Sequence, residues 1–98
     1  MKTYTKKLLR ILDAHGLQRQ CWQLIEECAE LIIAICKYWR DDVDESAKDK
    51  KHIVDELADV RIMTDQIALA YGVVDQVDER IRYKVERELG RIEDGSDR

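Results

Sequence analysis

No proline interrupts this chain, and only four glycines punctuate its 98 residues. Proline and glycine end helices and shape the tight turns of sheets. An all-β sandwich or barrel needs a turn signal about every 8–12 residues, and this sequence cannot supply them. Long helices with few stops are what remains. Gly16 and Gly72 are two such stops, and the charged stretch DDVDESAKDK from Asp41 to Lys50 is a third break in periodicity. They divide the chain into four helical segments: about Thr3 to His15, Leu17 to Trp39, Lys50 to Tyr71, and Asp75 to Arg91. The predicted fold class is therefore all-α, a four-helix-bundle-like single domain over 1–98 with two long antiparallel core helices. Residues 1–16 form its N-terminal helix and 92–98 a frayed tail.

Charge narrows the function classes. Seventeen basic and 21 acidic residues leave a net charge of −4, whereas a nucleic-acid binder presents a basic face. Lys2, Lys6, Lys7 and Arg10 are the one local basic excess, and they read as the solvated face of the first helix. The longest apolar run, Leu31 to Cys36, is far below the ~20 residues of a membrane span. The first residues lack the apolar stretch and small-residue cleavage site of a signal peptide. A cytoplasmic protein without nucleic-acid or membrane partners is expected. Cys21, Cys28 and Cys36 lie within one helical segment, too far apart along it for a disulfide. Their spacing fits no zinc signature, so they are expected as small buried hydrophobes.

The acids carry the chemistry. At 100° per residue, segment two centres its apolar face on Leu24, Cys28, Leu31 and Ile35. Glu27 and Glu30 lie just off its edge in a strip with Gln23 and Ala34; Glu26 lies farther round, beside Lys37. In segment three the apolar face holds Val60, Met63, Thr64 and Ile67, with Glu56 inside it and Asp59 at its rim. Two i, i+3 acid pairs thus border the core, and antiparallel packing brings all four into one cleft. Four carboxylates cannot stay ionised together without cations. An all-oxygen set suits a hard ion, Mg²⁺ or Mn²⁺, which keeps waters and bridges to phosphates. The bland alternative pairs these acids with Lys37, Arg40, Lys51 or Arg61. A di-iron site would require Glu-x-x-His on two helices, and neither His15 nor His52 stands three residues after a glutamate. His52, four residues before Glu56, is a possible hydrogen-bond partner for it or simply a helix-start histidine. No glycine-rich phosphate loop and no covalent nucleophile is evident.

These residues match a pattern. EECAE (Glu26 to Glu30), followed after 25 residues by ELAD (Glu56 to Asp59), resembles the E-E-x-x-E…E-x-x-D signature of the MazG-like nucleotide pyrophosphohydrolases. KYWR (Lys37 to Arg40), HIVDELADVRIMTDQIALAYG (His52 to Gly72) and the K-x-x-R of Lys84 and Arg87 extend the likeness over about Gln20 to Arg91, toward the small single-domain type of phages and Gram-positive bacteria. The resemblance implies a MazG fold and Mg²⁺-dependent hydrolysis of a nucleoside triphosphate to monophosphate and pyrophosphate, a nucleotide-housecleaning activity. Glu27, Glu30, Glu56 and Asp59 would be metal ligands and catalytic residues, and Lys84 and Arg87 would bind the substrate's phosphates, across a subunit boundary or within one chain. Glu26 matches the first acid of the motif but faces away from the other four. VRIM after Asp59 separates the chain from the phosphoribosyl-ATP branch. The rival function class is a non-catalytic helical module binding a nucleotide or a protein.

Segment two predicts a further property. Leu24, Ile25, Leu31, Ile32, Ile33, Ile35, Tyr38 and Trp39 cover more than half its circumference, wider than the ~100° stripe of a surface helix. Segment four offers only the narrow stripe Val77, Ile81, Val85 and Leu89, as a covering helix or one that pairs with another chain. A homodimer or homotetramer is expected, as the resemblance also implies.

Overall fold

Among the described residues four helices form where the periodicity places them: α1 (Thr5–His15), α2 (Leu17–Tyr38), α3 (Lys51–Tyr71) and α4 (Val74–Glu93). The computed structural model describes residues 4–40 and 49–95, and no strand occurs among them. Most of the charged connection after Trp39 lies outside the described residues.

Both predicted glycine stops hold, by different means. Gly16 alone separates α1 from α2, with φ 87° and ψ 152°; its N–H donates to the Leu12 carbonyl at 2.7 Å. Gly72 is left-handed (φ 66°, ψ 33°). Its N–H donates to the Leu69 carbonyl at 3.1 Å, and the Val73 N–H to the Ala68 carbonyl at 3.0 Å, which caps the orphan carbonyls of α3. Gly90 is not a stop. A mid-helix glycine costs only about 1 kcal/mol, and α4 continues through it to Glu93. The expected frayed tail is corrected accordingly: residues 92 and 93 are helical, and 96–98 lie outside the described residues.

α2 and α3 are the main packed pair, and cross-helix contacts give their sense. Gln20 near the start of α2 bonds Gln66 near the end of α3, whereas Glu27 meets Glu56 and Asp59. Rising numbers in one helix meet falling numbers in the other, so the pair is antiparallel, as expected. The face that α2 turns inward differs from the one expected. It runs through Leu17, Gln20, Leu24, Glu27, Leu31, Ala34 and Tyr38; Cys28 and Ile35 are exposed. Apolar side chains surround so much of α2 that apolarity alone does not mark its inner face. Thr64 is likewise exposed, its hydroxyl donating to the Arg61 carbonyl at 3.1 Å. The cysteines are free; Cys21 is half-buried, while Cys28 and Cys36 are exposed, against the expectation of burial.

α1 rests on both long helices, but α4 packs on α3 alone. Among the described residues only Leu8 and Met63 are buried apolar side chains, and α4 buries none. Its stripe of Val77, Ile81, Val85 and Leu89 stays about half exposed. The Cα radius of gyration is 17.0 Å, against about 13 Å for a compact domain of ~100 residues. Among the described residues no helix is long and apolar enough to cross a membrane.

Candidate metal centre

Helical spacing builds the site. Glu27 on the inner face of α2 looks across at Glu56 and Asp59, which α3 presents three residues apart on neighbouring turns. One carboxylate oxygen from each of the three lies within 4.8 Å of the others. Gln23, one turn before Glu27, donates its amide to Glu27 Oε1 at 2.7 Å. That bond fixes the carboxylate and leaves Oε2 pointing inward. Glu27 Oε2 and Glu56 Oε2 are both shielded from solvent without a hydrogen-bond donor.

Glu56 and Asp59 hold their protons more tightly than usual. Glu56 is raised above its ordinary value chiefly by desolvation, then by the charges of Glu30, Asp59 and Glu27. Asp59 is raised by desolvation first, then by the charge of Glu27, by sharing a proton with it, and by Asp55. Every one of these influences favours the neutral acid; among the described residues no lysine or arginine acts in the opposite sense. Among the described residues, Lys37, Lys51 and Arg61 form no ion pair with the quartet, which removes most of the salt-bridge alternative.

A hard cation fits this donor set. Mg²⁺ binds oxygens at about 2.0–2.1 Å and so needs ligand oxygens about 3–4 Å apart. A small movement of three clustered side chains reaches that spacing. The acceptor-only oxygens, orphaned and partly desolvated, are what such an ion would satisfy.

The remaining predicted residues fall less uniformly. Glu30 is exposed and lies outside the three-oxygen group, yet its charge is the second influence on Glu56. Glu26 is exposed on α2, consistent with the wheel that turns it away. His52 is exposed, with no hydrogen bond to Glu56 among the described residues. Lys84 and Arg87 are exposed on α4, and the Arg87 and Arg80 guanidinium groups lie 5.7 and 4.8 Å from the Tyr83 ring centre.

Three residues were not singled out for their roles by sequence reasoning. Gln23 had a signal, since it stands four residues before Glu27. Asp55 had one too, as a third acid within five residues of α3. Asp65 had none: its Oδ2 is buried without a partner, beside a groove of about 950 Å³ lined by Leu8, Leu24, Ile67, Val77 and Ile81.

Compared with known proteins, the chain matches no family model, no curated relative and no solved structure.

Proposed function

We propose that this protein is a Mg²⁺-dependent nucleoside triphosphate pyrophosphohydrolase of the cytoplasm, with Mn²⁺ able to replace Mg²⁺. The observation that carries the reading is the donor-poor carboxylate cluster of Glu27, Glu56 and Asp59, spaced as in the signature the sequence resembles. Water would add across the α–β anhydride of an NTP or dNTP, releasing monophosphate and pyrophosphate. A divalent ion held there would offset phosphate charge and supply Lewis-acid activation of water.

The chain's own residues do the rest. Glu27, Glu56 and Asp59 would hold the ion, and Gln23 would keep Glu27 oriented for it through its 2.7 Å hydrogen bond. Glu30, exposed beside them, is free to orient a water and accept its proton. Lys84 and Arg87 neutralise the departing phosphates in this reading, as the K-x-x-R likeness implies.

The test is pyrophosphate release from a panel of common and modified nucleoside triphosphates, with Mg²⁺, with Mn²⁺ and with chelator. Release of pyrophosphate and monophosphate that chelator stops, and that Glu56→Gln lacks, is expected. Nucleotide binding without any release would assign the chain to the non-catalytic helical module instead.

A further inference from the structure

Because α4 packs on α3 and on neither of the first two helices, a groove of about 950 Å³ opens beside α3. Its walls are apolar: Leu8 of α1, Leu24 of α2, Ile67 and Ala68 of α3, and Val77 and Ile81 of α4. Small-molecule pockets span about 300–1,000 Å³ and combine such walls with a few placed polar groups. Among the described residues, Arg61, Asp65 and Asp78 are the charged side chains that line this one.

Asp65 is the member whose charge the fold does not offset. Its Oδ2 is shielded from water and accepts no hydrogen bond among the described residues. A carboxylate held in that state is costly unless a donor or a cation compensates it. Arg61 stands one turn earlier on α3 and is exposed, yet it gives Oδ2 no hydrogen bond. An acid four residues before its base pairs better on a helix than the reverse order, and here the base comes first. The Thr64 hydroxyl is directed to the Arg61 carbonyl at 3.1 Å. Two acids against one base leave the lining net negative around an apolar floor.

The groove is separate from the carboxylate cluster of Glu27, Glu56 and Asp59. Nine residues part Glu56 from Asp65, about two and a half turns and about 14 Å of rise. The two acids therefore project from opposite sides of α3.

We infer that this groove is a second binding site, for a small organic cation: a primary ammonium carried on a hydrocarbon or aromatic body. The ammonium offsets the Asp65 charge from the groove side, with Asp78 on the α4 wall as the second acid. The body covers Leu8, Leu24, Ile67, Val77 and Ile81. A neutral ligand of the same shape leaves the Asp65 charge as it stands, and an anion adds to it. This inference does not depend on the proposed activity, and it can fail while that reading stands.

Three probes with one hydrocarbon body and different charges test it: hexylammonium, 1-hexanol and hexanoate. Titrated into the full chain and followed by backbone amide NMR, hexylammonium should shift the Ile67, Ala68, Val77 and Ile81 signals saturably. It should bind on the order of tenfold or more tightly than hexanol, the worth of one charge-assisted contact, with hexanoate weaker still. Asp65→Asn should bring hexylammonium down to the level of hexanol. Arg61→Gln should bind it at least as tightly as wild type, and Glu56→Gln should leave its binding unchanged. If Asp65→Asn does not fold, the ranking of the three probes on wild type and Arg61→Gln decides. Equal binding of hexanol and hexylammonium would overturn the inference. So would loss of hexylammonium binding in Glu56→Gln, which places the cation at the carboxylate cluster. The absence of any saturable shift, as when a second copy or an inward-swung α4 covers the groove, would overturn it too.

Discussion

Two polar contacts cross the same pair of helices, seven residues apart on α2, and they could hardly differ more. At one, Gln20 Nε2 donates to Gln66 Oε1 at 2.8 Å, with the side chains only 4% and 1% exposed. At the other, Glu27, Glu56 and Asp59 set acceptor against acceptor. An amide carries both donor and acceptor, so Gln66 accepts from Gln20 and donates to the Met63 sulfur, and both glutamines can be buried. Ionised carboxylates only accept, and a cluster of them is complete only with protons or a cation. A buried polar contact that satisfies itself serves the fold; one that cannot do so points to a ligand.

The largest expected effect breaks the cluster. Glu27→Gln, Glu56→Gln and Asp59→Asn should each lower kcat/KM for the best triphosphate on the order of 100-fold or more, because ligands of one ion act as a unit. Glu30→Gln should lose less, since Glu30 stands outside the three-oxygen group. Steady-state pyrophosphate release ranks them, and near wild-type rates for two of the three would end the assignment.

The amide contact answers to stability instead. Gln20→Ala strands the Gln66 amide oxygen and should cost about 1–3 kcal/mol, read from the urea midpoint. Replacing both by leucine should cost less than the two single leucine changes together. Were Gln20→Ala to remove activity from protein that remains folded, the two contacts would not divide as described.

Metal should act on the cluster alone. Mg²⁺ at ten times its dissociation constant should stabilise the wild type by about 1.4 kcal/mol through mass action, with no gain in Glu56→Gln. A melting temperature that ignores Mg²⁺ would count against a metal site.

The smallest effect is with pH, in metal-free protein. Glu56 and Asp59 hold protons more tightly folded than unfolded, so the native state binds more protons between the two pKa values and stability falls as pH rises. Their contribution is fully present below the ordinary values of 4.5 and 3.8 and is lost as pH climbs through the raised ones. Thermal melts from pH 4 to pH 8 should slope more steeply in wild type than in Glu56→Gln. Equal slopes would remove the electrostatic account of the cluster.

Helix positions and the glycine stops were legible because periodicity and backbone freedom are local properties. The E-x-x-E and E-x-x-D spacing was legible for the same reason: three residues apart is nearly one turn. The inner face of α2 was not, because Leu24, Cys28, Leu31 and Ile35 are equally apolar and only packing chooses among them. The Gln20–Gln66 bond joins residues 46 apart in sequence, and nothing local marks either glutamine as buried. Glu30 and Glu27 have equal standing in the motif; the structure separates them by a rotation about α2.

The junction between α1 and α2 consists of Gly16 alone. A Cβ there would meet nothing within 4 Å, so space is not what reserves the position for glycine; its φ of 87° is. With a single residue as joint, α1 behaves as a lever whose pitch is set by one pair of torsions. Its length in residues is then a stricter requirement than the identity of most side chains on α1. One residue inserted within α1, between Leu8 and Gly16, would turn the preceding part of the helix by about 100° and swing Leu8 out of the core it helps to close.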